Sequence, residues 1–238
     1  MRILQISDTH GRHRKLKMLP AADVIVHCGD FADNGTEGEV LDFLNWFIEL
    51  PYPHKIFVTG NHDLCLWDAE SIEDLPDNVY FLQDKGCEIN GVKFFGLAYN
   101  HPEELIPHDV DILVTHEPPI MILDKSSGFH WGNAPLWNKV VEVKPRYHLF
   151  GHAHEANGIK DEDGVIYSNG AVLDDVMNMR YKPRVIVIEN LEEEPSNEEN
   201  YKDRSMVNIY NGCHLHSLTV DMQSNRRTQC KRQSVLRT

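Results

Sequence analysis

The sequence predicts a layered α/β domain in which helices cover a sheet. Short runs of Ile, Val, Phe and Leu recur at strand length, and two segments of helical periodicity stand among them. Five of the apolar runs also end in polar turns of similar composition, as expected of strands whose carboxyl ends face a common ligand.

Taken in chain order, residues 3–6 and 24–27 are the first two strands, each an uninterrupted buried-type run. Thr36-Glu37-Gly38-Glu39 has the spacing of a capping box and opens a helix over residues 40–50. There Val40, Phe43, Leu44, Phe47 and Leu50 share one face. Strands are expected at 56–58, 79–82, 92–95 and 112–114, with a tight turn at Asn90-Gly91, which tolerates positive φ. A second helix starts near Asn133-Ala134-Pro135, buries Leu136, Val140 and Val143, and stops before Pro145. Residues 147–150, 165–167 and 185–188 complete the strands, with a turn at Asp163-Gly164.

Composition changes after residue 190. Residues 1–190 are read as one domain, 191–203 as an acidic linker that includes LEEEPSNEEN, and 204–238 as a basic, weakly ordered tail. In that tail Cys213, His214 and His216 have no second ligand cluster with which to complete a four-ligand zinc site.

With 41% hydrophobic and 25% charged residues, the 238-residue chain has the make-up of a globular protein. No apolar stretch approaches the roughly 18 residues of a membrane span. MRILQISDTH reads as a first strand and not a signal peptide, so a cytoplasmic protein without membrane association is expected. Five cysteines, Cys28, Cys65, Cys87, Cys213 and Cys230, without CxxC spacing, read as free thiols. A net charge of −14 disfavours nucleic acid as a partner while leaving room for a locally positive nucleotide site. Oligomeric state leaves no mark in the sequence.

The polar turns carry the chemistry. They are Ser7-Asp8-Thr9-His10-Gly11, Cys28-Gly29-Asp30, Thr59-Gly60-Asn61-His62-Asp63, Thr115-His116-Glu117 and Gly151-His152-Ala153-His154. Each alone passes for a turn or a cap. Together they are excessive, because turns and caps favour Asp, Asn, Ser and Gly and have no need of His. Asp8, His10, Asp30, Asn61, His116, His152 and His154 supply seven oxygen and nitrogen donors and no thiolate. That set suits Mn, Fe, Zn, Ni or Co. It exceeds one tetrahedral ion and fits two divalent ions about 3.5–4 Å apart with a bridging carboxylate.

In order and spacing, Asp8-Thr9-His10, Gly29-Asp30, Gly60-Asn61-His62-Asp63, His116 and Gly151-His152-Ala153-His154 resemble the blocks of the calcineurin-like metallophosphoesterases, over about residues 1–189. Gly29-Asp30-Phe31, Leu50-Pro51-Tyr52 and the stretch from Val143 to His152 are similar to the small metallophosphoesterase-domain-containing group, which is akin to cyclic-nucleotide phosphodiesterases. The resemblance implies a four-layer α/β/β/α sandwich with mixed sheets. It implies that Asp8, His10 and His154 hold one ion, that Asn61, His116 and His152 hold the other, and that Asp30 bridges. Manganese is the favoured metal. His62 is implied to be the non-ligand histidine, placed to protonate the leaving alkoxide after a metal-activated hydroxide attacks phosphorus. Asp63 is a second catalytic candidate, either orienting His62 or starting a helix. Some animal members of the small group lack a ligand in the last block, whereas His152 and His154 are both present here.

Candidate substrate contacts are Arg12, His13, Asn100, His130 and Trp131. Arg12 and His13 follow the first block and read equally as a solvated helix start. His130 and Trp131 lie in the Gly-containing loop SSGFHWGN, where aromatic residues either stack on a base or pack the loop down. The expected activity is a phosphodiesterase acting on a nucleotide or similar small diester. A phosphomonoesterase and a nucleotide-binding regulatory module with a vestigial site are the alternatives.

Overall fold

The computed structural model describes residues 1–188. The expected linker at 191–203 and tail at 204–238, with Cys213, His214, His216 and Cys230, lie outside the described residues. The chain forms β1 (Arg2–Ile6), β2 (Val24–His27), α1 (Glu37–Glu49), β3 (His54–Phe57), β4 (Val79–Phe81), β5 (Lys85–Ile89), β6 (Val92–Gly96) and β7 (Ile112–Val114). It continues through β8 (Lys125–Ser126), β9 (Phe129–His130), α2 (Ala134–Val143), β10 (Tyr147–Phe150), β11 (Gly158–Glu162), β12 (Val165–Asn169) and β13 (Arg184–Val187).

Two mixed sheets result. The first runs β13-β1-β2-β3-β4, with only β13 antiparallel to its neighbour. The second runs β11-β12-β10-β7-β6-β5, parallel in its centre and antiparallel at both edges. Three buried clusters order the layers. Ile3, Val26 and Ile56 of the first sheet pack against Phe94, Val114 and Leu149 of the second. The opposite face of the first sheet, with Leu4, Ile25 and Phe57, is covered by Phe43 and Phe47 of α1. That of the second, with Phe95, Leu113 and Tyr167, is covered by Leu136 and Val140 of α2. The order is therefore helix, sheet, sheet, helix, as the family resemblance implies.

The local signals act as expected. The Thr36 hydroxyl oxygen accepts the Glu39 N–H while the Glu39 carboxylate accepts the Thr36 N–H, so the capping box is complete. Asn133 caps α2 by accepting the Leu136 N–H at 2.8 Å, and Lys144 ends the helix in the left-handed region at φ 53°. Asn90-Gly91 and Asp163-Gly164 all have positive φ and close the β5–β6 and β11–β12 hairpins. The leading strands of those hairpins, β5 and β11, were not expected: KGCEI and GIKDE are edge strands of largely exposed or half-buried residues with no continuous apolar run.

Between the sheets Gln5 is fully buried. Its amide donates to the carbonyls of Phe150 at 3.1 Å and Ser168 at 2.9 Å, and its carbonyl accepts the Ser168 hydroxyl at 2.5 Å. A satisfied polar group thus stitches β1 to β10 and β12 beneath the strand ends. Cys28 is buried and Cys65 and Cys87 are free, so no disulfide forms among the described residues. No helix among them is long and apolar enough to cross a membrane.

Candidate metal centre

The polar turns follow β1, β2 and β3 of the first sheet and β7 and β10 of the second, and meet at the shared carboxyl edge. Asp8, His10 and His154 bring donor atoms within 4.8 Å of one another, as do Asp30, His116 and His152. His154 Nε2 lies 3.3 Å from His10 Nε2 and 3.4 Å from Asp8 Oδ1. His116 Nε2 lies 2.9 Å from Asn61 Oδ1 and 3.2 Å from His152 Nδ1, which is itself 3.0 Å from Asn61 Oδ1. Asp30 Oδ2 stands between the groups, 3.6 Å from His10 Nε2 and 3.3 Å from His116 Nε2.

Hydrogen bonds fix the imidazoles. His116 Nδ1 donates to the Cys28 carbonyl at 2.8 Å and His154 Nδ1 to the Asp174 carbonyl at 3.2 Å. Their Nε2 atoms therefore turn inward, lone pairs toward other lone pairs and carboxylate oxygens, an arrangement that calls for positive charge among them. The titration behaviour agrees. Burial pulls His116 down, but the Asp30 and Asp8 carboxylates and the Cys28 carbonyl outweigh it and raise it to about 10. Burial likewise opposes the raised pKa of His154, which Asp8 more than offsets. Asp8 and Asp30, against their own burial, are held below the usual carboxylate range by these histidines. The donor set thus fits divalent cations with nitrogen and oxygen preference.

The backbone is strained where the donors sit. Asp8, His10, Asp30 and His152 all have positive φ, from 40° to 67°, which non-glycine residues seldom adopt. Crowding explains the neighbouring glycines: a Cβ on Gly151 would fall 2.1 Å from Asp8 Oδ2, and one on Gly60 2.2 Å from Asp30 Oδ1.

His62 stands beside the first group, its ring 4.7 Å from that of His10. Its Nδ1 donates to the Asp33 carbonyl at 2.7 Å, and its backbone N–H to Asp30 Oδ1 at 2.8 Å. Asp33, which the sequence did not single out, thus supplies the orienting contact expected of Asp63. Of the two roles considered for Asp63, orienting His62 is corrected, while the other holds: Asp63 starts the short 3-10 turn Leu64–Leu66. Its buried carboxylate accepts the backbone N–H groups of Asp30 and Gly60 at 2.8 Å and Ala32 at 2.9 Å, so it braces two loops instead of orienting His62. Burial and the nearby Asp30 charge push its pKa well up.

His13 is a second correction. It is fully buried against Phe43 and Trp46 of α1, with Asp42 3.1 Å from Nε2, and faces the helix layer, not the site. Arg12 lines an open groove with His10 and donates to the His10 carbonyl at 2.6 Å. Asn100 lines a small recess beside His116. His130 is turned onto Asp124 at 2.8 Å, and the Trp131 ring meets that of His152 edge-on at 6.4 Å.

Two buried histidines support the ligand loops. His27 Nε2 is 3.0 Å from the Thr9 hydroxyl, between Asp8 and His10. His148 Nε2 is 2.9 Å from the Thr115 hydroxyl, next to His116. Thr115 spends its proton on the Glu117 carbonyl at 2.6 Å, so His148 Nε2 is the donor. Burial drives both histidines to about 3, with neutral rings. The histidines within the buried strands VIVH and YHLF were the available signal.

A family model described as Calcineurin-like phosphoesterase matches residues 1–156. A UPF0046 protein of Caenorhabditis elegans is 32% identical over 219 residues, covering 79% of this chain and 75% of that protein. Metallophosphoesterase domain-containing protein 1 of Homo sapiens is 32% identical over 215 residues, covering 72% of this chain and 66% of its own length. A crystal structure from Thermus thermophilus aligns with a TM-score of 0.53 at 18% identity, over 71% of this chain and 88% of that one, a likeness of fold alone.

Proposed function

Because this chain belongs to the calcineurin-like phosphoesterase family, we propose that it is a two-ion phosphodiesterase acting on a nucleotide or similar small diester. Asp8, His10 and His154 hold one divalent ion, Asn61, His116 and His152 the other, and Asp30 is shared. The observation that carries this reading is the position of Asp30 Oδ2, within 3.6 Å of a nitrogen from each donor group. Its second oxygen is taken by the His62 N–H, which leaves Oδ2 as the single atom facing both groups.

Manganese is the favoured metal, with Fe, Zn, Ni and Co compatible with the same donors. When bound, the ions supply Lewis-acid charge for the phosphate oxygens and an activated water. The chain's own residues do the rest. Three backbone N–H groups on Asp63 hold the Asp30 and Asn61 loops together. The Asp33 carbonyl takes Nδ1–H of His62, so Nε2 is the atom that gives a proton to the leaving alkoxide. Arg12, Asn100 and Trp131, each beside a donor histidine, are the proposed substrate contacts, and His130 is held on Asp124. The protein acts in the cytoplasm on a soluble substrate.

The test is metal content together with a manganese-supplemented hydrolysis screen of bis-p-nitrophenyl phosphate, p-nitrophenyl phosphate and 2′,3′- and 3′,5′-cyclic nucleotides. Two equivalents of metal in the wild type, falling to one in His154→Ala and below one in Asp30→Ala, with diester turnover, is the expected result. Turnover of the monoester alone would replace the diesterase reading. Nucleotide binding without turnover of any ester would favour the regulatory module.

A further inference from the structure

The two donor groups have unlike surroundings. Beside His152 and His116 aromatic rings stand among polar residues such as Asn100 and Glu117: Trp131 meets His152 at 6.4 Å, Tyr99 meets His116 at 6.1 Å, and Trp67 lies 5.5 Å from Tyr99. Beside His10 the neighbours are polar: Arg12, Asp33, Thr36, Glu39 and Asp42 line an open groove of about 560 Å³.

The exposed rings are held in place. Trp131 is 52% exposed, yet its Nε1 donates to the Ser126 carbonyl at 3.1 Å and its backbone N–H to the Asp124 carbonyl at 2.9 Å. Its hairpin, β8–β9, is tied down by the Ser126 and Ser127 hydroxyls, which donate to Asp175 at 2.7 Å. Trp67 is 36% exposed and its Nε1 donates to the Gly60 carbonyl at 2.9 Å, one residue from Asn61. A large ring kept partly in water, with its polar atom satisfied and its orientation fixed, presents a ready face for another ring.

We infer that Trp131, Tyr99 and Trp67 recognise a flat heterocycle on the ester that the product phosphate retains, while the leaving alcohol lies in the groove beside His10 and Asp33. This rests on the phosphoesterase reading above. Its orientation follows from His62, which is bonded to Asp33 and packed on His10 and so stands on the groove side. Water oxygen bonds to phosphorus, the bond from phosphorus to the leaving oxygen breaks, and His62 protonates that oxygen. The proton lost by water restores His62. The retained ester then points away from the groove, toward the rings. Asp42 is paired with Arg14 at 2.8 Å, but Asp33 and Glu39 still outnumber Arg12 in the groove, which selects a neutral or cationic leaving alcohol over a phosphorylated one.

The experiment is calorimetric titration of the manganese-loaded full chain with AMP and with ribose 5-phosphate, which differ only in the base. AMP should bind about 5- to 150-fold tighter, the range of stacking one base on aromatic side chains. In Trp131→Ala and Tyr99→Ala that ratio should fall toward one. Equal binding of the two ligands in the wild type, binding of neither, or variants that keep the ratio would each overturn the inference. Thymidine 5′-p-nitrophenyl phosphate and methyl p-nitrophenyl phosphate, which share a leaving group, separate the two readings. A protein that keeps the AMP preference but hydrolyses neither diester loses the phosphoesterase reading and retains the aromatic site. One that hydrolyses both at equal rates retains the activity and loses the inference.

Discussion

The Asp63 carboxylate accepts the backbone N–H of Asp30 at 2.8 Å, and with the same oxygen the N–H of Gly60. Two strand-end loops, one bearing the shared carboxylate and the other Asn61 and His62, thus hang on one buried atom. Asp63→Asn keeps a single carbonyl acceptor for three N–H donors. Each unpaired buried N–H costs about 1–3 kcal/mol, so the variant should melt at a lower temperature and bind less metal. Thermal melts with and without added manganese check this. An unchanged melt with reduced turnover would return Asp63 to the catalytic role.

His62→Ala should keep its metal and lose turnover by about 10²- to 10⁴-fold, the usual worth of a positioned acid. The measurement that decides is metal analysis beside the rate. His10, Asp30 and His62 also bring donor atoms within 4.8 Å of one another. Loss of an ion from the variant would make His62 a ligand and remove it as the acid.

Stability should fall in mild acid. His27 and His148 sit at about 3 in the folded protein, against 6.5 as the ordinary value, with burial as the cause. Above 6.5 both states are neutral and the groups contribute no pH dependence. Below it the unfolded chain takes up protons that the folded chain refuses, so stability is lost from pH 6.5 down to about 3. The slope is about 1.4 kcal/mol per pH unit for each histidine. Urea melts at pH 7 and pH 5 should show the loss, and His148→Gln, which keeps a donor for Thr115, should make it shallower. A slope unchanged by that variant would refute the assignment.

Asp175→Ala removes the acceptor for both hairpin serines. Backbone amides of Ser126 to Trp131 should then exchange with solvent faster, read by hydrogen–deuterium exchange, and the discrimination of AMP from ribose 5-phosphate should shrink. Unaltered exchange would show that the Trp131 and Asp124 contacts alone hold the hairpin.

The sequence revealed most of what depends on local pattern. Apolar runs located the central strands, Thr36 and Asn133 marked both long helices, and the repeated polar turns marked where chemistry collects. What it concealed depends on the third dimension. β5 and β11 lie at sheet edges, where burial imposes no continuous apolar run. His13 follows the first turn directly, yet its side chain turns under Phe43 and Trp46. Asp63 braces its own loop against one that lies 33 residues before it. Trp67 and Tyr99 resemble ordinary core residues until their neighbours are known. The backbone carbonyl of Asp33 could not be found from side-chain chemistry at all.

The division of donors between the two sheets matters for a chain emerging during synthesis. By the end of β6 it has Asp8, His10, Asp30 and Asn61, four of the seven, and neither donor group is whole. His116 arrives after β7, and His152 and His154 only after β10. A truncated product that stops before β10 therefore has a half-built sandwich and no means of holding either ion as assigned. Under the proposed assignment both ion sites are completed together, by the turn that follows β10.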